Sequence, residues 1–270
     1  MQLSLKQQVR RDVSARIYIG TSGWHYKHWV GTFYPPKLPA SKMFAFYQQH
    51  FDTVELNNSF YRLPTPEAFI AWRGNAADNF CFAVKGSRFL THNKKLKEPE
   101  QALHNLLPRA ELLGEKLGPI LFQLPPKWKV NLERLELFLQ ALPKYNRYAF
   151  EFRDPSWNRD EVYAILRRYN AAYCIHELAG FHTPILVTAD FTYVRLHGPG
   201  GKYQGSYTEN KLSEWAERIA GWSGELKAVY VYFDNDDSGY APRNALELKQ
   251  LLERRASPQR EGEDKVASSR

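Results

Sequence analysis

The sequence predicts a single (β/α)8 TIM barrel, an α/β fold in which eight parallel strands alternate with helices. Three observations predict it. Eight short runs rich in β-branched and aromatic residues recur along the chain, stretches of helical periodicity separate them, and 270 residues suffice for one barrel of about 250 residues. Alternation of strands and helices implies parallel pairing with right-handed crossovers, and eight such units close most naturally as a barrel.

The predicted strands come first. They are Ile17–Gly20, Thr53–Asn57, Phe80–Lys85, Pro119–Leu124, Tyr148–Arg153, Ala172–His176, Phe191–His197 and Ala228–Asp234. Helix starts lie between them, because Thr65 precedes a proline, and Asn131 and Thr208 precede apolar stripes as N-caps do. The segment 177–190 contains a glycine and a proline and has room for little more than a turn, so the sixth helix is predicted to be short or absent.

Charge and composition set the domain limits. Residues 1–16 carry a net charge of +3 and form a predicted N-terminal extension, residues 17–255 form the barrel, and residues 256–270 form a predicted disordered tail. The net charge of +8 thus leaves a mildly basic barrel, compatible with an anionic ligand. No window approaches the roughly 18 apolar residues of a membrane span. Cys81 and Cys174 fall inside strands, which is typical of free thiols in a cytoplasmic protein.

The strands show a period-two pattern that assigns one face to the helices and the other to the barrel interior. In Ala149–Arg153, Phe150 and Phe152 share one face, while Glu151 and Arg153 share the other. The helix-covered outside of a barrel requires the apolar face. We therefore expect the two charged side chains to point inward.

The same alternation places further polar side chains inside, each at the carboxyl end of its strand. These residues are Glu55, Asn57, Lys85, Gln123, His176, Arg195, His197 and Asp234. Barrel enzymes build their active sites at this end, from strand termini and the loops that follow them. The sequence therefore predicts a polar cluster at one mouth of the barrel.

Two interpretations of this cluster remain open. An unpaired charge inside a barrel costs several kcal/mol, so each group has to pair, hydrogen-bond or contact a ligand. The first interpretation is a structural layer of internal ion pairs, such as Glu55 with Lys85 and Glu151 with Arg195. The second is a ligand site, which the convergence of so many polar groups at one mouth favours.

Three loops predicted at the same mouth add residue types suited to ligands. The first, Thr21–Ala40, is long and rich in aromatic side chains. The seventh, Gly198–Gly205, lies where barrels often hold a phosphate on backbone N–H groups. The third indicates either a solvated surface or an anion-binding rim. Before any acid appears, it carries Arg88, His92, Lys94, Lys95 and Lys97.

Several segments together resemble the YecE-like family, a domain-of-unknown-function family with a TIM-barrel fold. They are GTSGWHYKHWVGTFYP at Gly20–Pro35, FDTVELNNSFYRLP at Phe51–Pro64, FAVKGSRFLTH at Phe82–His92, LGPILFQLPP at Leu117–Pro126, EFRDPSW at Glu151–Trp157, YVRLHGPGGKYQGSY at Tyr193–Tyr207 and VYVYFDND at Val229–Asp236. The resemblance spans residues 17 to about 250. It implies a barrel and no established reaction.

The leading functional hypothesis is an enzyme that acts on a phosphorylated or otherwise anionic substrate, with the reaction left open among hydrolase, lyase and isomerase. Glu151 is predicted as the general acid or base, and Lys85 as an electrostatic stabiliser or a Schiff-base amine. The candidate catalytic residues are Glu55, Lys85, Glu151, Arg195, His197 and Asp234. The candidate substrate-binding residues are Thr21, Ser22, Trp24, Asn57, Tyr61, His92, Gln123, Arg153, His176, Tyr203 and Tyr207.

Two alternatives accompany this hypothesis. A metal-dependent phosphodiesterase would use clustered histidines and carboxylates, with Glu151, His176, His197 and Asp234 as candidate ligands. The nearby basic residues would repel a cation, so no metal site is predicted and the cofactor is left unassigned. A non-catalytic nucleic-acid or metabolite binder would stack bases on the aromatic first loop and bind phosphates with the basic third loop. The sequence does not predict an oligomeric state.

Overall fold

The computed structural model describes the backbone of residues 15–267 and the side chains of residues 15–256. Nearly all of the predicted N-terminal extension therefore lies outside the described residues. Within the described part, no helix is both long and apolar enough to cross a membrane.

Eight parallel strands form the barrel and confirm the predicted fold. Around the sheet, they follow the order β1-β9-β8-β6-β5-β4-β3-β2, with the short β7 paired only to β6. Their bounds are β1 Arg16–Thr21, β2 Thr53–Leu56, β3 Cys81–Lys85, β4 Leu117–Gln123, β5 Tyr148–Glu151, β6 Ala172–Leu178, β7 Phe181–His182, β8 Phe191–Leu196 and β9 Ala228–Phe233. Each predicted strand overlaps a barrel strand.

The barrel closes between β1 and β2 through a short seam. Ser22 and Glu55 form a parallel bridge there, and the Gly23 amide donates to the Glu55 carbonyl at 2.9 Å. Gly20 makes the close approach possible, because a Cβ at this position would lie 2.3 Å from the Thr53 carbonyl oxygen. The Tyr47 hydroxyl fills the rest of the seam, where it accepts from the Thr21 amide at 3.0 Å and donates to the Thr53 carbonyl at 2.9 Å.

We expect Tyr47→Phe to destabilise the protein by about 1–3 kcal/mol, because it leaves the buried Thr21 amide and Thr53 carbonyl without their shared partner. Urea unfolding measures the loss. Tyr145→Phe is the matched control, since the Tyr145 hydroxyl bonds Glu111 on the exposed surface. Equal stability of the two variants would contradict this description of the seam.

Helices cover the outside of the barrel. The α-helices are α1 Met43–Tyr47, α2 Asn58–Tyr61, α3 Pro66–Asn75, α4 Glu100–Ala110, α5 Leu132–Gln140, α6 Asp160–Arg168, α7 Glu209–Ser223 and α8 Tyr240–Ala267, with a π turn at Phe89–Asn93 and 3₁₀ turns at Lys27–Trp29, Ala40–Lys42, Glu111–Lys116 and Pro155–Trp157. The predicted caps are confirmed. Thr65, Asn131 and Thr208 each accept a hydrogen bond from the first turn of their helix.

The structure confirms that the sixth helix is absent. After β6 the chain turns through Gly180, and Phe181–His182 pairs antiparallel with the end of β6. No helix is described between residues 179 and 190. This hairpin therefore lies beside the barrel mouth where other units send a helix back along the outside.

The C-terminal helix α8 is described to Ala267 and therefore overlaps the predicted disordered tail, residues 256–270, whose disorder stays a prediction. The last three residues lie outside the described part of the chain.

Two apolar layers confirm the predicted inward and outward faces. The outer layer between strands and helices contains Phe82, Phe150 and Val194, among others. The barrel interior is a separate cluster of tyrosines and small residues, including Tyr193 and Tyr230. The polar cluster lies above this inner layer, at the carboxyl ends of the strands.

Candidate functional site

Arg195 forms the centre of the polar cluster. Its guanidinium is completely buried and contacts three carboxylates. Nη1 donates to Glu151 Oε2 at 2.7 Å, and Nη2 donates to Glu55 Oε1 at 2.7 Å and Asp234 Oδ2 at 2.9 Å. These contacts confirm the predicted Glu151–Arg195 pair. They occupy both terminal nitrogens of Arg195 with protein carboxylates, which compensate its charge, while its buried Nε has no partner among the described residues.

Glu55 lies deepest in this network. Ser22 Oγ donates to Oε1 at 2.6 Å, and the Tyr193 hydroxyl donates to Oε2 at 2.6 Å. The predicted Glu55–Lys85 pair is not observed, because Arg195 occupies the carboxylate instead. Glu55 and Ser22 thus hold Arg195 in place and are closed to a ligand.

A second arginine, Arg153, lies above Arg195. Its Nε donates to Glu151 Oε1, and Nη2 lies 3.2 Å from His197 Nε2. The other ring nitrogen, Nδ1, is 3.0 Å from Asp234 Oδ2. Since the guanidinium only donates, this geometry places the ring proton on Nδ1 and leaves Nε2 as the acceptor. His197 thereby links Arg153 to Asp234.

The network holds Glu151 and Asp234 as anions. Burial alone would raise the pKa of Glu151, but the Arg153 and Arg195 guanidiniums outweigh it and hold that pKa well below 4.5. Burial likewise opposes ionisation of Asp234, and Arg195 and His197 lower its pKa. Both oxygens of Glu151 are occupied. These contacts make it a positioning group for the two arginines and a poor general acid or base.

A cavity of about 370 Å³ opens above the network. Four basic side chains line it, namely Lys85, Arg88, Arg153 and Lys202. Four aromatic rings accompany them, and the remaining lining residues are His92, Gln123, Pro126 and Leu178. Among the described residues, no carboxylate belongs to this lining. The predicted residues Tyr61, His92, Gln123, Arg153 and Tyr203 all border this cationic pocket, where Tyr61 is 80% exposed at its rim.

Lys85 is the buried lysine of the pocket. Its ammonium lies 4.5 Å from the centre of the Phe60 ring, and among the described residues no carboxylate lies within ion-pair distance. Burial and the nearby Arg195 guanidinium lower the pKa of Lys85 from 10.5 to about 8, and the more distant network carboxylates only partly oppose this shift. The backbone is fixed, since Ser59 Oγ donates to the Lys85 carbonyl at 2.6 Å. Lys85 therefore presents a partly neutral amine from a fixed backbone position.

The basic third loop divides between pocket and surface. Arg88 and His92 border the cationic pocket, whereas Lys94 and Lys97 both pair with Glu98 and the Lys95 side chain is exposed. Burial, together with Arg88 and Lys85, lowers the pKa of His92 to about 4. His92 is thus a neutral imidazole near pH 7.

Other predicted site residues lie apart from the cationic pocket. Thr21 belongs to the seam, where its hydroxyl donates to the Gly23 carbonyl at 2.6 Å. Trp24 and Asn57 line a separate aromatic cavity together with Tyr26 and Trp72. The first loop is therefore mainly structural, and its Trp29 and Tyr34 side chains are buried in the outer core.

Tyr207 and His176 also differ from their predicted roles as substrate contacts. The Tyr207 ring is buried against Phe233, and its hydroxyl accepts from the Gly198 amide at 2.9 Å. His176 is buried below the mouth, its Nδ1 lies 3.4 Å from the Cys174 carbonyl, and its pKa is lowered by burial to about 3. Both side chains support the mouth from below or behind.

The seventh loop uses several of its own amides. Gly200 N donates to the Gln204 carbonyl, and Gln204 N donates to the Gly201 carbonyl. Gly198 has a positive φ of 106°, and a Cβ there would lie 2.2 Å from Gln204 O. This compact turn places Lys202 and Tyr203 at the pocket. The seventh loop therefore contributes mainly side chains to the pocket lining.

The candidate site residues did not include the lining residues Phe60, Pro126, Leu178, Phe181 and Lys202. Leu178 and Phe181 belong to the hairpin that replaces the sixth helix. The sequence did indicate this hairpin, because Gly180 and a segment too short for a helix predict a turn beside the mouth. Period-two reasoning along single strands does not extend to a chain that folds back over the barrel.

The candidate metal ligands surround Arg195. This arginine lies between Glu151 and Asp234, and it contacts both. Across residues 15–256, no group of three or more His, Cys, Asp or Glu side chains is arranged to hold a metal ion. A guanidinium thus occupies the space between these carboxylates.

Fold and site together define a TIM-barrel protein with a buried arginine–carboxylate network beneath a cationic pocket. Comparison of sequences then places the chain among known proteins. It belongs to the DUF72 family, described as a protein of unknown function, whose model matches residues 18–266. This membership confirms the resemblance to the YecE-like family.

Individual relatives agree with this assignment. The UPF0759 protein YunF of Bacillus subtilis is 27% identical over 270 residues, which cover 88% of this chain and 95% of YunF. The UPF0759 protein YecE of Escherichia coli K12 is 31% identical over 142 residues, 52% of this chain and 50% of YecE. None of these names states a reaction.

Solved structures show the same fold. A DUF72 family protein of Thermotoga maritima is 30% identical, with a TM-score of 0.80 over 88% of this chain and 99% of that one. A DUF72 family protein of Enterococcus faecalis is 19% identical, with a TM-score of 0.74 over 88% and 95%, and supports the fold alone.

Proposed function

We propose that this protein is an enzyme that binds a small phosphorylated or otherwise anionic substrate at the barrel mouth. One observation carries the proposal, namely that four basic side chains and no carboxylate line the cationic pocket. Three buried carboxylates in the network face Arg153, Arg195 and Lys85, so Arg88 and Lys202 at the rim are in excess. A pocket of this charge favours phosphate or carboxylate groups.

The residues take different roles in this proposal. Arg88, Arg153 and Lys202 bind the anionic group, and the neighbouring rings contact the organic part. Lys85 is the catalytic group, because its amine faces the cavity and is partly neutral near pH 8. Glu151 orients Arg153 through its Oε1, and His197 supports the same guanidinium from Asp234.

We expect Arg88→Ala and Lys202→Ala each to weaken binding of inorganic phosphate by about fivefold, since each removes one rim cation of about 1 kcal/mol. Isothermal titration calorimetry at low ionic strength measures the change. Lys95→Ala is the matched control, because Lys95 lies on the same loop as Arg88 but outside the pocket. Equal affinities for all three variants would reject the cationic pocket as the anion site.

A further inference from the structure

We propose that Lys85 forms a covalent imine with the carbonyl group of a phosphorylated aldehyde or ketone. This inference rests on the proposed function, because the rim cations would hold the phosphate while the amine reacts. It goes further by naming the substrate class and the bond that forms. The other catalytic role, a purely electrostatic one, leaves the amine unmodified.

The position of Lys85 favours this chemistry. Its Nζ lies over the Phe60 ring and faces the cavity, and among the described residues it makes no direct ion pair. The network carboxylates lie further away and only partly oppose the fall in its pKa. The opposite case exists in the same barrel. Lys116 is equally buried, yet its Nζ donates to the Arg73 and Ala76 carbonyls at 2.9 and 2.7 Å. The ammonium of Lys116 is thus held by two carbonyl oxygens, as expected for a structural lysine. Lys85 has no such acceptors among the described residues.

The neutral form of the amine is the nucleophile. With the pKa of Lys85 lowered by burial to about 8, on the order of 300-fold more neutral amine exists at pH 7 than for an ordinary lysine. His92 contacts the same Phe60 ring and is neutral at this pH, since burial lowers its pKa to about 4. As a neutral ring it adds no positive charge beside the amine and can accept a hydrogen bond there.

The reaction balances without another reagent. Nζ attacks the carbonyl carbon, the C=O π electrons move to oxygen, and a proton passes from nitrogen to that oxygen to give a carbinolamine. The C–O bond then breaks, the hydroxyl leaves as water after protonation, and a C=N⁺ bond forms. The ammonium and the carbonyl compound thus yield one protonated imine and one water. The cationic imine withdraws electrons from the adjacent carbon, which activates that carbon for proton removal or bond cleavage.

Borohydride trapping tests the inference with the full chain. The protein is incubated at pH 7 with dihydroxyacetone phosphate, glyceraldehyde 3-phosphate or pyridoxal 5′-phosphate, reduced with sodium borohydride and mapped by peptide mass spectrometry. We expect the reduced adduct on Lys85 to exceed that on exposed lysines by about a hundredfold or more, following its neutral fraction. Inorganic phosphate should suppress it. Lys85→Arg, which keeps the charge, should lose this adduct but still bind phosphate in calorimetry.

The outcomes separate this inference from the proposed function. Phosphate binding without a Lys85 adduct from any of the three carbonyl compounds overturns the imine and leaves the anion pocket standing. Equal labelling of Lys85 by dihydroxyacetone and by its phosphate overturns the phosphate requirement and the anion pocket with it. Preferential labelling at Lys85 that phosphate suppresses supports both.

Discussion

Arg195→Met is expected to destabilise the protein by about 3–5 kcal/mol at pH 7. The change removes the cationic partner of Glu55, whereas Glu151 keeps Arg153 and Asp234 keeps His197. Breaking one buried ion pair from one side costs about this much. Urea unfolding followed by circular dichroism measures the loss. The exposed Arg159, which pairs with Glu161 on the surface, provides the control, and Arg159→Met should change stability little.

The pH dependence of the Arg195 variant identifies the cause. In the native protein, the pKa values of Glu151 and Asp234 are lowered, so their stabilisation is complete above the unfolded values near 4 and is lost as pH falls below them. Without Arg195 the three buried carboxylates favour protonation, and the variant should gain stability as pH falls from 7 towards 5. If the loss of stability relative to the native protein stays constant between pH 7 and pH 5, the buried carboxylates are not its cause.

Lys85→Met is expected to stabilise the protein by about 3 kcal/mol at pH 7 while it abolishes adduct formation. The pKa of Lys85 is lowered from 10.5 to about 8 by burial and Arg195, which means that the folded protein pays to keep the ammonium charged. Methionine retains the aliphatic stem and removes the charge. A gain in stability from loss of a polar group is typical of a functional site.

The size of this stabilisation depends on pH. Below pH 8 the charging cost is fully present, and between pH 8 and 10.5 the unfolded chain holds a proton that the folded chain has released, so native stability rises with pH. The advantage of Lys85→Met should therefore shrink across that interval. Lys116→Met is the control, because Lys116 is 6% exposed and Lys85 is 7% exposed. The Lys116 amine is hydrogen-bonded, so this variant should lose stability. Destabilisation by both changes would show that Lys85 is a structural lysine.

Much of the barrel was predictable because its pattern is local. Period two along Ala149–Arg153 put Glu151 and Arg153 inside, and the structure places both in the polar cluster. Cap residues such as Asn131 act within one helical turn, so their identification required no knowledge of the tertiary fold. The absent sixth helix followed from segment length and Gly180.

The partners within the cluster were less predictable. Alternation shows that Glu55, Lys85 and Arg195 face inward, but not which carboxylate each cation meets, since strands far apart in sequence adjoin only after the barrel closes. The same limit applies to Tyr207, which follows a strand at the mouth yet packs behind the seventh loop. Which side chains meet across a closed barrel depends on the stagger between neighbouring strands. The sequence of a single strand does not determine that stagger.

The titration of the Lys85 side chain tests most directly whether this residue is a partly neutral amine in an anion-binding pocket. In protein labelled with [ε-¹³C]lysine, the resonance missing from Lys85→Met identifies the residue. We predict that it titrates near pH 8 and that inorganic phosphate raises its midpoint, because a bound anion stabilises the ammonium. A midpoint near 10.5 that phosphate does not move would contradict both the reactive amine and the anion site.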